Sequence, residues 1–139
     1  MAKISKTYKP TQKEKFMNAK MKEYFRQKLE SWKNELLKES SQTLNNLQTE
    51  NEAKPDMTDR ASEEIDRTFE LRTRDRERKL LNKIDKALRK IEEGTYGYCE
   101  ETNQPISIAR LKARPIATLS LEAQEMHEKF EKIYKEKEY

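Results

Sequence analysis

Between Asn18 and Glu52 the chain contains neither glycine nor proline, and its apolar residues recur at helical spacing. Met21, Phe25, Leu29, Trp32, Leu36, Leu44 and Leu47 lay one narrow seam along a long amphipathic helix. Asn18 supplies an N-cap, because its side-chain oxygen can accept from an unpaired amide of the first turn. Pro55 interrupts the pattern. A second helix is predicted from Arg60 to Glu92, with Ile65, Phe69, Leu80, Ile84, Leu88 and Ile91 on its stripe. Gly94 stands where a helix C-cap needs a left-handed residue.

The two stripes match each other in reverse order. In an antiparallel hairpin, facing residues have numbers of constant sum. Leu47 with Ile65, Trp32 with Leu80 and Met21 with Ile91 sum to 112. Leu44 with Phe69, Leu29 with Ile84 and Phe25 with Leu88 sum to 113. Both sums place the fold point at Asp56 or just after it. The expected fold is mainly α: a long antiparallel coiled-coil hairpin formed within one chain. Leu36 opposes Arg76 and Ser40 opposes Arg72, so the middle of the seam is polar and is expected to be its more flexible part.

Composition alone leaves disorder or elongated helices, and the periodicity favours helices. Only 33% of the 139 residues are hydrophobic and 40% are charged, too few apolar groups for a compact globule. Lysine and arginine number 30 against 26 acids, and the two signs are interleaved as on a solvated helix surface. Near the N-terminus, however, Lys3, Lys6, Lys9, Lys13 and Lys15 face only Glu14. Such a segment reads most simply as a mobile solubilising tail, although it could also touch nucleic acid or an acidic partner. No apolar run has the length of a membrane span and no signal-peptide pattern opens the chain, so a cytoplasmic protein is expected.

Beyond Gly94 the text is short and rich in turns, up to Pro115. It predicts a small irregular module, with at most a minimal β-hairpin. A final helix is expected from Ser120, with Ala123, Met126, Phe130 and Ile133 on one face. The expected organisation is a basic segment at 1–17, the coiled coil at 18–93 with its tip at 53–60, a small zinc-finger-like module at 94–119, and a C-terminal helix at 120–139.

Few residues carry chemistry. Asp56 and Asp59 lie three apart at the predicted apex, where carboxylates would project into a partner. The simpler reading is that they cap the second helix, and the two roles are compatible because a capping carboxylate keeps free lone pairs. Cys99 is the one cysteine and His127 the one histidine, and a single pair cannot close a tetrahedral zinc site. The metal-free reading makes Cys99 a small buried apolar residue. Arg72, Arg74, Arg76, Arg78, Lys79, Lys83 and Lys86 crowd the second helix as a solvated face. Alternatively, Lys83 with Arg110, Lys112 and Arg114 would form a phosphate-receiving cleft if the module packs against the hairpin base. No catalytic triad, Gly-rich phosphate loop or HExxH motif is present.

Four stretches resemble the DksA family of RNA polymerase-binding transcription factors. They are Asp56-Met57-Thr58-Asp59-Arg60-Ala61, the run Glu70 to Leu80, Tyr96-Gly97-Tyr98-Cys99-Glu100, and the run Ile108 to Pro115. The likeness extends from about Phe16 to the C-terminus. It implies a regulator that inserts its coiled coil through the secondary channel of RNA polymerase; the lack of a catalytic set points to a non-enzyme, and the intrachain register to a monomer. Asp56, Asp59 and Ala61 would then act near the polymerase active centre. The resemblance also implies cooperation with guanosine tetraphosphate in the stringent response, with repression of ribosomal RNA promoters and support of amino-acid biosynthetic ones. The alarmone would bind between factor and polymerase at Arg76, Leu80, Lys83 and Arg114. Neither direct sequence-specific DNA binding nor membrane association is implied.

This chain departs from the family in two places. The four zinc cysteines fall on Cys99, Thr102, Ser120 and Ala123, so zinc is expected to be absent, as in a cysteine-poor branch. A basic alarmone contact falls on the neutral Gln124, a loss of about 1.5–3 kcal/mol if one charge-assisted bond goes. Two other readings are a transcript-cleavage factor of the Gre type, which also carries acids on a hairpin tip, and a coiled-coil adaptor with no role in transcription.

Overall fold

The computed structural model describes residues 3–51 and 57–137. Among these residues it has four helices and no strand: α1 (Ala19–Asn51), α2 (Met57–Glu93), α3 (Ile108–Ala113) and α4 (Leu121–Lys137). The chain is a mainly helical coiled-coil hairpin with a small module and a C-terminal helix. It divides into two compact units. One is Glu30–Lys86, and the other combines the residues up to Leu29 with those from Ala87 onward.

The ends of the helices follow local chemistry. Asn18 Oδ1 accepts from the Met21 amide at 2.8 Å, which starts α1. At the end of α2, Gly94 adopts φ +82°. The amides of Thr95 and Tyr96 then turn back to the Lys90 carbonyl at 2.9 and 3.2 Å, satisfying an orphan acceptor of the last turn. Ser120 Oγ accepts from the Ala123 amide at 3.2 Å and opens α4.

In the unit Glu30–Lys86, Leu36 and Ile84 are buried, and Lys33 Nζ meets Asp85 Oδ1 at 2.7 Å. That ion pair sets the early part of one helix beside the late part of the other, as antiparallel pairing requires. The inward line of α2 differs from the expected stripe. Counting back by sevens from the buried Ile91 and Ile84 leads to Glu77, Glu70 and Glu63, all half-buried. Ile65 and Phe69 are instead 72% and 65% exposed. The expected stripe jumped eleven residues from Phe69 to Leu80, and a seven-residue repeat does not carry one position onto the other.

The glutamates leave a physical signature. Glu70 Oε2 and Glu77 Oε2 are buried without a hydrogen-bond partner. Beside them Ser40, Leu71, Arg74, Asp75, Arg78 and Leu81 line a groove of about 390 Å³. The mid-section is thus polar, with carboxylates on its inward line.

The other unit holds most of the buried apolar residues. Met21, Phe25 and Leu29 of α1 are fully buried, as are Ala87 and Ile91 of α2 to within a few per cent. Tyr96, Cys99, Ile106, Ile108, Leu111, Ile116, Ala117 and Ala123 add the core of the module. The rings of Phe25 and Tyr96 lie 5.5 Å apart, and the Tyr96 hydroxyl donates to the Pro115 carbonyl at 2.7 Å. Burial of the ring raises the Tyr96 pKa.

The N-terminal segment is not the free tail that its composition suggests. Pro10 and Met17 are buried, and the Phe16 ring meets the Tyr98 ring edge-on at 5.3 Å. The Tyr8 hydroxyl donates to Glu14 Oε2 at 2.7 Å. Its pKa rises to about 12, through burial and then through that hydrogen bond and the Glu14 charge. The few apolar residues of this strap point inward while its lysines stay outside.

Candidate functional site

The small module is built around Cys99. A single antiparallel bridge pairs Tyr98 with Pro105. The Cys99 amide donates to the Gln104 carbonyl at 2.8 Å, and the Ile106 amide donates to the Gly97 carbonyl at 2.7 Å. Asn103 turns the loop with φ +58°, a conformation that asparagine tolerates. The expected minimal hairpin is thus present as one bridge. The six-residue α3 that follows was not foreseen. Its N-cap is Ser107, whose Oγ accepts from the Arg110 amide at 3.2 Å.

Donors from Glu101, Thr102 and Ser120 converge on the Cys99 thiol. Cys99 is 1% exposed. Burial alone would raise its pKa. Hydrogen bonds from the Thr102 hydroxyl and from the backbone amides of Ser120, Thr102 and Glu101 outweigh burial and bring it down to about 6. Ala123 is buried. The cradle around the thiol consists of the Thr102 hydroxyl and the backbone amides of Glu101, Thr102 and Ser120. One sulfur with these partners does not make a zinc site. Among the described residues no group of three or more His, Cys, Asp and Glu side chains could hold a metal ion. His127 is exposed and pairs with Glu101, a contact that the sequence did not reveal.

The remaining candidates are spread along the helices. Asp56 lies outside the described residues. Asp59 falls in the first turn of α2, its side chain outside the described set, and Ala61 is exposed on the same helix. Arg76, Leu80 and Lys83 are spaced four and three apart on α2, so they share one face. Arg76 and Lys83 are exposed and Leu80 is half-buried. Arg114 is the exposed C-cap of α3, its amide donating to the Arg110 carbonyl at 2.7 Å. Arg114 belongs to one compact unit and Arg76, Leu80 and Lys83 to the other. The Gln124 side chain donates to Glu128 Oε1 at 3.3 Å.

Two charged residues of the unit that includes the module are held by hydrogen bonds. Lys28 Nζ donates to the Lys112 carbonyl at 2.7 Å, and its pKa is lowered by burial and by the Lys112 charge. Glu23 is 7% exposed and is held by Arg26 and Gln27. The Arg26 hydrogen bond, opposed by burial, brings the Glu23 carboxyl down to about 2.

These features define a helical-hairpin protein with a zinc-finger-like module that keeps one thiol and no second one. Residues 21–91 match the family model of the DnaK suppressor protein DksA, N-terminal domain. Residues 94–129 match the prokaryotic dksA/traR C4-type zinc finger. The chain is 57% identical to the RNA polymerase-binding transcription factor DksA of Caulobacter vibrioides, over 93% of this chain and 91% of that one. It is 44% identical to the protein of that name from Escherichia coli K12, over 86% of this chain and 79% of that one. The solved structure of transcription factor DksA2 from Pseudomonas aeruginosa superposes with a TM-score of 0.80 at 38% identity, covering 84% of this chain and 90% of that one. The chain belongs to the DksA family. These relatives are named as transcription factors, not as enzymes. No described helix is long and apolar enough to cross a membrane.

Proposed function

We propose that this protein is an RNA polymerase-binding transcription regulator that works by inserting its α1–α2 hairpin into the secondary channel. The observation that carries the reading is the 57% identity, across 93% of the chain, to a factor named for binding RNA polymerase. The order of elements supports it: two long helices, followed by a small module and a C-terminal helix.

The hairpin brings Asp56, Asp59 and Ala61 close to the polymerase active centre. The two carboxylates perform no reaction of their own. Each offers acceptor lone pairs to basic groups and amides there, and so shifts the lifetime of promoter complexes. Ribosomal RNA promoters are repressed and amino-acid biosynthetic promoters are supported. Guanosine tetraphosphate lodges between the factor and the polymerase. Arg76, Lys83 and Arg114 give charge-assisted hydrogen bonds to its phosphates, and Leu80 gives an apolar contact.

The test is transcription from a ribosomal promoter by purified polymerase, with and without guanosine tetraphosphate. Asp59→Asn is expected to bind polymerase like the unaltered protein and to lose repression. Lys83→Gln is expected to keep basal repression and lose the added effect of the alarmone. Full repression by Asp59→Asn would remove the role of the apex. Shortened RNA in a stalled elongation complex would instead favour a transcript-cleavage factor.

A further inference from the structure

The strap that precedes α1 separates its side chains by chemistry. Its apolar members, Pro10 and Met17, are buried, and Tyr8, Phe16 and Glu14 are half-buried. Its lysines, Lys3, Lys6, Lys9, Lys13 and Lys15, are all exposed. The one acid among them, Glu14, is engaged by the Tyr8 hydroxyl and faces the Thr11 amide at 3.4 Å. No ion pair involves these five lysines among the described residues.

The segment is folded, so these charges do not sit on a floating chain. Short turns fix the backbone: the Tyr8 amide donates to the Ser5 carbonyl at 3.1 Å, and the Asn18 amide donates to the Lys15 carbonyl at 3.2 Å. Five exposed lysines with a single, engaged acid make this short segment locally basic, and a polyanion would be attracted to it.

Two polyanions fit a lysine surface: an acidic protein or a nucleic-acid backbone. Stable protein interfaces need a desolvated apolar or aromatic centre and are depleted in lysine and serine. Here the apolar residues already serve the protein's own core. What remains outside is lysine interleaved with the exposed Ser5, Thr7, Thr11 and Gln12. Point charges with short hydroxyl and amide donors are the groups that contact phosphodiester oxygens. No exposed arginine lies in the strap to read base edges with a planar fork.

We propose that the N-terminal strap is a sequence-independent contact for the phosphate backbone of a nucleic acid. It uses Lys6, Lys9, Lys13 and Lys15, with Lys3 at its margin. The proposal rests on the strap's own geometry and does not require the polymerase reading.

The test measures anisotropy of a fluorescein-labelled 20-base-pair DNA duplex of arbitrary sequence, titrated with the full chain at several salt concentrations. Four lysine–phosphate contacts predict a log–log salt slope near −3.6, or roughly a hundredfold loss of affinity between 50 and 200 mM salt. The variant Lys6→Gln, Lys9→Gln, Lys13→Gln, Lys15→Gln should bind at least tenfold more weakly at 50 mM and lose most of that slope. The matching lysine-to-arginine variant should restore both, and circular dichroism should show wild-type helicity in each. Lys129→Gln with Lys132→Gln on α4 should change neither affinity nor slope. Unaltered binding by the glutamine variant overturns the proposal, as does no binding by the wild type. Tighter binding of a polyglutamate peptide of equal charge also overturns it and assigns the strap to an acidic protein surface.

Discussion

A Cβ placed on Gly97 would lie 2.8 Å from Met17 Cε, so the strap and the module meet across a residue that has no side chain. Gly97 also holds φ +89°, while Gly94, at φ +82°, faces open space. Gly94→Ala is expected to cost about 1–2 kcal/mol from backbone strain alone. Gly97→Ala must also push the Met17 thioether and the Phe16 ring aside, adding about 1 kcal/mol or more. Urea unfolding followed by circular dichroism should rank the variants in that order. Equal losses would mean that the strap yields freely.

The buried carboxylate oxygens of Glu70 and Glu77 predict a stabilising substitution. Each is hidden from water without a hydrogen-bond partner. Replacing an unsatisfied buried group by leucine removes its desolvation penalty, about 1–3 kcal/mol, and adds apolar contact. Glu77→Leu should raise the urea midpoint, and Glu70→Leu should do so more modestly. Stability that falls in both variants would show that these carboxylates have partners in solution.

The Cys99 cradle predicts an unusual thiol. With its pKa near 6 in the folded protein, thiolate absorbance at 240 nm should appear with a midpoint about three units below that of the unfolded chain, whose reference value is 9.0. Because the folded pKa is the lower one, this group's contribution is full above pH 9 and is lost as pH falls through about 6. Thr102→Val, which removes the hydroxyl donor, should move the midpoint upward. An unchanged midpoint would assign the shift to the backbone amides alone.

Glu23 gives the acid limb of stability. Its carboxyl lies near 2 when folded against a reference of 4.5. A depressed carboxyl stabilises the fold above the reference value, and the effect disappears as pH falls from about 4.5 through 2. Glu23→Gln should flatten that limb in thermal melts between pH 5 and pH 2 and change little at pH 7 beyond a constant offset.

Much of the fold was legible because local chemistry agreed with long-range pattern. Asn18, Gly94 and Ser120 mark helix boundaries through capping rules that need no tertiary contact. The reverse match of the two apolar stripes indicated the hairpin. It misplaced Ile65 and Phe69, since large apolar residues draw a stripe toward themselves even where the seven-residue line runs through glutamates. The short α3 depends on one serine cap and was hidden among turn residues. The composition of the strap suggests a tail because lysines dominate it, and nothing local reveals that Pro10 and Met17 find a core. At the module, a single cysteine without enough partners for zinc was plain in the sequence. That Thr102 and the Ser120 amide would hydrogen-bond to its sulfur was not, because side-chain identity gives no donor direction.

The seam of α2 changes character along its length: glutamate at 63, 70 and 77, then isoleucine at 84 and 91. Association of the two long helices is therefore most favourable where the aliphatic knobs lie and weakens with each preceding heptad. Zippering should begin beside Ile84 and Ile91 and advance toward the turn. Amide exchange under native conditions should run the other way, earliest in the glutamate heptads and last at the aliphatic end.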